Sequence, residues 1–178
     1  IQDTYKLQDH TTETGTIKHV RPVIYATGSP PNSTTIRPNS AGTYSQWTGS
    51  VNSTNWRHVN EIIQNGDADY VYASTGRIDS YNLQDHTTET WDISNVRVVI
   101  YAKLATAGDD QIRLQLEIGG NTYSGKTWTL TTSYAQYFSG WSTNPKTGWP
   151  WTWADIDALQ AGFSSIQVGA TMSEIRVT

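Results

Sequence analysis

The chain has no cysteine, one methionine and two phenylalanines in 178 residues. Without cysteine there is no disulfide framework and no thiol nucleophile. Charge is also scarce. Only 16% of residues carry it, and the net −4 with twelve scattered Lys and Arg offers no basic field for nucleic acid. No apolar run approaches the roughly 20 residues that span a bilayer. No leader-like segment opens the sequence, so a secreted protein is expected here in mature form. The nucleophile elbow, the HExxH helix, the phosphate loop and the glycine-rich dinucleotide turn are all missing. Paired carboxylates in a pocket, as in glycoside hydrolases, are the catalytic alternative that remains. The expectation is a non-enzyme without a cofactor.

What is present points to sheets. Eight Trp and ten Tyr make up most of the large apolar mass, among abundant Ser, Thr, Asn and Gly. Such residues suit strands, interfaces and sugar contacts better than helix-bundle cores. Asn32-Ser33-Thr34 and Asn52-Ser53-Thr54 are acceptor patterns for N-glycosylation. With the Ser/Thr/Asn-rich surface they give the expectation of an extracellular, cell-surface or virion-surface protein.

The clearest signal is an internal repeat. Residues 3–26 (DTYKLQDHTTETGTIKHVRPVIYA) and 79–102 (DSYNLQDHTTETWDISNVRVVIYA) match at 17 of 24 positions with a constant offset of 76. The first copy stops at a Pro/Ser/Thr-rich stretch, whereas the second runs on into a full domain. The organisation expected is an N-terminal strand extension (1–28), a linker (29–35) and one sandwich-sized domain (36–178). A two-stranded fragment alone is marginal in water, so something must cover it.

Strands are predicted at 36–37, 44–48, 56–63, 68–74, 78–82, 95–104, 111–118, 121–123, 128–131, 135–141 and 165–171, punctuated by Gly, Asn, Asp and Ser. Gly119-Gly120-Asn121 reads as a tight hairpin. Thr152 with Asp155 fits a capping box, and Gly162 is placed as a C-terminal cap, giving one helix of about ten residues. The fold class predicted is all-β: a two-sheet antiparallel jelly-roll β-sandwich with one short helix and an N-terminal donor strand.

The segments RPNSAGTYSQWTGS (37–50), NWRHVNE (55–61), GDADYVYAS (66–74), TLTTSYAQY (129–137), TNPKTGWPWTWADIDALQAG (143–162) and the final IQVGATMSEIRVT carry a family resemblance. Over about 36–178 the chain resembles an uncharacterised family of jelly-roll domains from phage virion and tail proteins and prokaryotic surface proteins. The block 144–159 is its sharpest part. The resemblance implies a two-sheet jelly roll and no catalytic residues. It also implies one more strand of alternating Val and Tyr after 174–178, which this sequence does not contain. The expectation is therefore a sandwich with an unpaired edge at Ile166, Val168, Ile175 and Val177, and a slot into its core. The spare N-terminal strand, with Val20, Val23, Ile24 and Tyr25 buried, would fill the slot of a neighbouring copy by donor-strand complementation. Pro22, where the second copy has Val98, removes one ladder donor. A linker over 27–35 reaches at most about 30 Å, so a chain could also fill its own slot. Donation to a neighbour is head-to-tail and produces a filament.

Four further groups are candidates. His10 with Asp9 and Glu13, and His86 with Asp85 and Glu89, combine imidazole and carboxylates as a metal site would, or form polar turns. Asp67 and Asp69, with Asp109 and Asp110, lie in acidic turns of a kind that binds calcium, without the twelve-residue loop pattern. Trp149 and Trp151, within a 13-residue stretch that holds four Trp, either stack sugars or pack the helix over the sandwich. A module that recognises glycans on a surface, or a phage tail component, is the alternative function, and a cut piece of a tandem array is a third.

Overall fold

The computed structural model describes residues 32–51, 54–169 and 171–178. The chain divides into two compact units, Ile1–Ser33 and Thr34–Thr178, and the architecture below is that of the second. Ten strands form in chain order: β1 Pro38–Ser45, β2 Thr48–Gly49, β3 Val71–Ala73, β4 Ile78–Leu83, β5 Val96–Leu104, β6 Gln111–Ile118, β7 Asn121–Thr129, β8 Ala135–Trp141, β9 Gln160–Ile166 and β10 Ile175–Val177. They make two five-stranded sheets, β1-β4-β9-β6-β7 and β2-β3-β10-β5-β8. Every pair is antiparallel. The molecule is a jelly-roll-like β-sandwich.

Alternation decides which side chains meet between the sheets. In β6, Ile112, Leu114, Leu116 and Ile118 are all buried, and β9 adds Phe163. From the facing sheet come Val98, Ile100, Ala102 and Leu104 of β5, with Val71, Ile175 and Val177. Chemically 96–101 looks unpatterned, since Val99 and Tyr101 are apolar too. Both point outward. Trp47 meets Phe163 edge-on at 4.8 Å and Tyr81 tilts against it at 5.9 Å. Asp79, wholly buried, accepts hydrogen bonds from the amides of Gln46 and Trp47, from Asn55 Nδ2 and from the Tyr81 hydroxyl. Every lone pair in use on a buried carboxylate is what makes its burial tolerable.

The β6–β7 hairpin turns through Gly119 and Gly120, both at positive φ (58° and 80°), as a two-residue primed turn requires. The helix, α1 (Trp153–Ala158), starts with the full Thr152–Asp155 capping box but is six residues long. Gly162 is not its cap. It lies in β9, where a Cβ would sit 2.3 Å from the Asp79 carbonyl oxygen, so close strand approach selects glycine there.

Other expectations change. Residues 36–37 are irregular chain, and the first strand starts at Pro38. The strand predicted over 56–63 is a 3₁₀ turn, Asn55–His58, followed by irregular chain. Asn55 pins it by donating to Trp47 and Asp79. The break predicted between 123 and 128 is a bulge inside a continuous β7, where Arg113 pairs with Thr127 but Gln115 with Ser124. The last long strand is β9, ending at Ile166 rather than running from 165 to 171.

Candidate strand-acceptor groove

The site begins with the neighbours of β5. On one side β8 pairs with it from Val96 to Ala102. On the other, β10 pairs only with Ala102, Lys103 and Leu104, and the Thr178 amide adds a bond to the Tyr101 carbonyl. In an antiparallel strand, alternate residues aim both backbone groups to the same side. The Leu104 amide bonds Thr131 on the β8 side. The even residues of β5 therefore face β8, and Arg97 and Val99 aim N–H and C=O the other way. Among the described residues no strand lies there.

That bare edge borders a small, open cavity of about 140 Å³. Its floor is core: Leu116 of β6, Phe163 of β9, Tyr81 of β4, and Leu159 at the end of α1. Val177 and Thr178 close one end. Irregular chain at Ile36 and Val59 lines it too, with the strand ends Pro38 and Leu83. The floor side chains are buried. Burial also pushes the Tyr81 hydroxyl well above its ordinary pKa, with the Asp79 charge beside it, so it stays a hydrogen-bond donor.

This geometry corrects the edge inferred from sequence. Ile166 belongs to β9, which lies between β4 and β6, and Ile175 and Val177 belong to β10, which lies between β3 and β5. Val168 follows β9 in a turn, half-exposed, its amide donating to Asp110. None of the four is an unpaired edge; the open edge is the first part of β5. Sequence reasoning missed Arg97 and Val99 because strand order is non-local. Val20, Val23, Ile24 and Tyr25 lie outside the described residues, as do Asp9, His10 and Glu13.

The acidic candidates are engaged elsewhere. Asp67 pairs with Lys103 Nζ at 2.6 Å and Arg176 at 3.0 Å, which hold its carboxyl below the usual range. Asp69 accepts from Asn65 and lies 3.5 Å from His58 Nδ1. Asp110 is buried and accepts from the amides of Val168 and Ser173. Asp109 is exposed. Among the described residues no three His, Asp or Glu side chains gather as metal ligands would. One acidic pair escaped the sequence reading: burial, and then Asp69, push Glu61 up to about 7.

In the second repeat copy, His86 Nδ1 sits 2.9 Å from both Asp157 oxygens and its ring stacks on Trp153. Glu89 accepts from the amides of Thr87 and Thr88, which hold it at about 2. This is a polar turn docked on α1. Trp151 is buried (4% exposed) and donates to the Trp141 carbonyl, so it cannot stack a sugar, whereas Trp149 is 73% exposed. Asn32 is exposed, and Asn52 lies outside the described residues. Among the described residues no helix is long and apolar enough to cross a membrane. No family model matches the chain, and no curated protein matches it.

Proposed function

We propose that the chain is a structural subunit of an extracellular filament or fibril, not an enzyme, polymerising head-to-tail as its N-terminal strand completes the sandwich of the next copy. The observation that carries this is the bare Arg97–Val99 edge beside an apolar slot floored by the core. Backbone edges of this kind are where strand addition occurs. The second support is the repeat: residues 20–26 differ from β5 positions 96–102 only at Pro22. The partner is another copy of the chain, and each contact leaves a free donor and a free slot, so growth does not close. The resemblance to jelly-roll domains of virion and surface proteins fits such a role. Glycans on Asn32 and Asn52 would coat the outside of the filament, and no cofactor or calcium takes part.

Negative-stain microscopy with size-exclusion chromatography tests the reading. Uniform fibres that vanish on deleting residues 1–28 are the expected result. A monodisperse species near 19.8 kDa from the full chain sinks it. A second reading, a glycan-binding or phage tail module, is favoured by the exposed Trp149. Quenching of tryptophan fluorescence by sugars, abolished in Trp149→Ala, is its signature.

A further inference from the structure

We infer that the shoulder where β7 meets β8 binds an acidic polysaccharide. Arg97 and Lys126 take its carboxylates or sulfates, and Phe138 and Val99 take the C–H faces of its rings. This goes beyond strand donation and does not involve Trp149.

Charge is spread unevenly along the chain. It has sixteen Asp and Glu and a net −4, yet β5, β7 and β8 hold none, nor does any position from 121 to 154. This part of an acidic protein is locally cationic, so it attracts anions that the rest repels. On its surface the Arg97 guanidinium lies 4.7 Å from the Phe138 ring centre, and Lys126 Nζ lies 3.5 Å from that of Trp128. The two rings are 5.9 Å apart, so the four side chains form one strip. Val99 is directly opposite Phe138 in the ladder and widens it; both are exposed.

Two other cations on the same sheet make an instructive contrast. Lys103 and Arg176 also lie over rings, those of Tyr134 and Tyr70 at 4.7 and 4.6 Å, but both reach the Asp67 carboxylate. Among the described residues Arg97 and Lys126 make no ion pair and no side-chain hydrogen bond. A ring face attracts their charge and leaves their N–H donors, five on Arg and three on Lys, for a partner.

The shoulder is also built before any ligand arrives. Trp128 Nε1 donates to the Phe138 carbonyl at 2.9 Å, and the Lys126 amide donates to Ser139 Oγ at 2.9 Å. A Cβ on Gly125 would run into Ser139 and the Trp141 ring, so the two strands touch closely there. Groups held in place lose little freedom on binding. The indole bond also selects the class of ligand. With the Phe138 carbonyl occupied, a peptide finds no ladder to extend along this edge. Two cations are few for nucleic acid, whose affinity rests on many phosphates. Apolar surface beside separate single charges matches a chain of sugar rings that each carry one anionic group.

Fluorescence anisotropy of labelled polygalacturonate and heparin oligosaccharides, titrated with the full chain, tests the site. The expected result is binding of one or both, at least about fivefold weaker as salt rises from roughly 20 to 200 mM. Which polymer binds tells carboxylate from sulfate. Arg97→Gln and Lys126→Gln should each weaken binding about fivefold or more, and Phe138→Ala about threefold. Lys126→Arg keeps the charge and should keep the binding. Arg57→Gln removes the same charge from another cation–ring pair, over Trp56, and should change it less than about twofold. No binding of either polymer, equal losses in Arg57→Gln and Arg97→Gln, or a loss in Trp149→Ala overturns the inference. So does tighter binding of poly-glutamate, which makes the partner an acidic protein. Microscopy of the same samples reports assembly separately. Binding by a monomer removes the filament and keeps this site, whereas fibres without binding do the opposite.

Discussion

The two ends of β5 obey one sequence rule and live in different surroundings. From Ala102 to Leu104 the strand lies between β8 and β10; from Val96 to Tyr101 it has β8 alone. Inward side chains register the difference: Ala102 and Leu104 are 0% and 1% exposed, Val98 and Ile100 9% and 8%. Alternation within a strand says which residues face the core, but a second neighbour decides how tightly the core closes over them. The same sheet is thus finished at one end and unfinished at the other.

Several changes would break or sharpen that contrast. The largest is expected at the finished end: Leu104→Ala should cost about 3 kcal/mol in denaturant unfolding, whereas Val98→Ala should cost roughly 1, since its surroundings already contain a void. Equal losses would mean that the slot is closed. Protonation touches the far wall. The Glu61 carbonyl accepts from Arg37 Nε, and its side chain titrates near 7 when folded against 4.5 ordinarily. The folded state therefore holds the extra proton between those values, and stability should fall as pH rises from about 4.5 to 7. Glu61→Gln should flatten that slope and add on the order of 1 kcal/mol above pH 7, read from melts across pH. The floor depends on the helix that delivers Leu159. Thr152→Ala removes the capping hydroxyl and should cost about 1 kcal/mol, measured by chemical denaturation. The smallest effect in energy is the sharpest in place. By hydrogen exchange the Lys103 amide should be protected and those of Arg97 and Val99 fast.

Where residues interact with near neighbours, the sequence was legible. β6 and β8 fall on the predicted bounds, and the paired glycines and the capping box do what their local chemistry demands. What failed depended on distant partners. The run after Trp56 has strand-like composition, yet Asn55 ties its start to Asp79, 24 residues on, and turns it into 3₁₀. Trp149 and Trp151 look equivalent in sequence, but only Trp151 finds the Trp141 carbonyl. The bare part of β5 was not legible, because finding it needed the strand order, which places β10 inside its sheet. The repeat was visible at once; that its second copy spans β4 and β5, one strand in each sheet, was not.

The place of β10 also sets a timetable. It alone joins the β2-β3 pair to the β5-β8 pair, and it is synthesised after every other described strand. Until β10 has been made, half of the sandwich exists only as two unconnected ribbons. Closure pairs residues about a hundred positions apart, Ile175 with Ala73 and Val177 with Val71, and contacts that distant in sequence form slowly. Until then the edges of β3 and β5 that β10 covers stay bare.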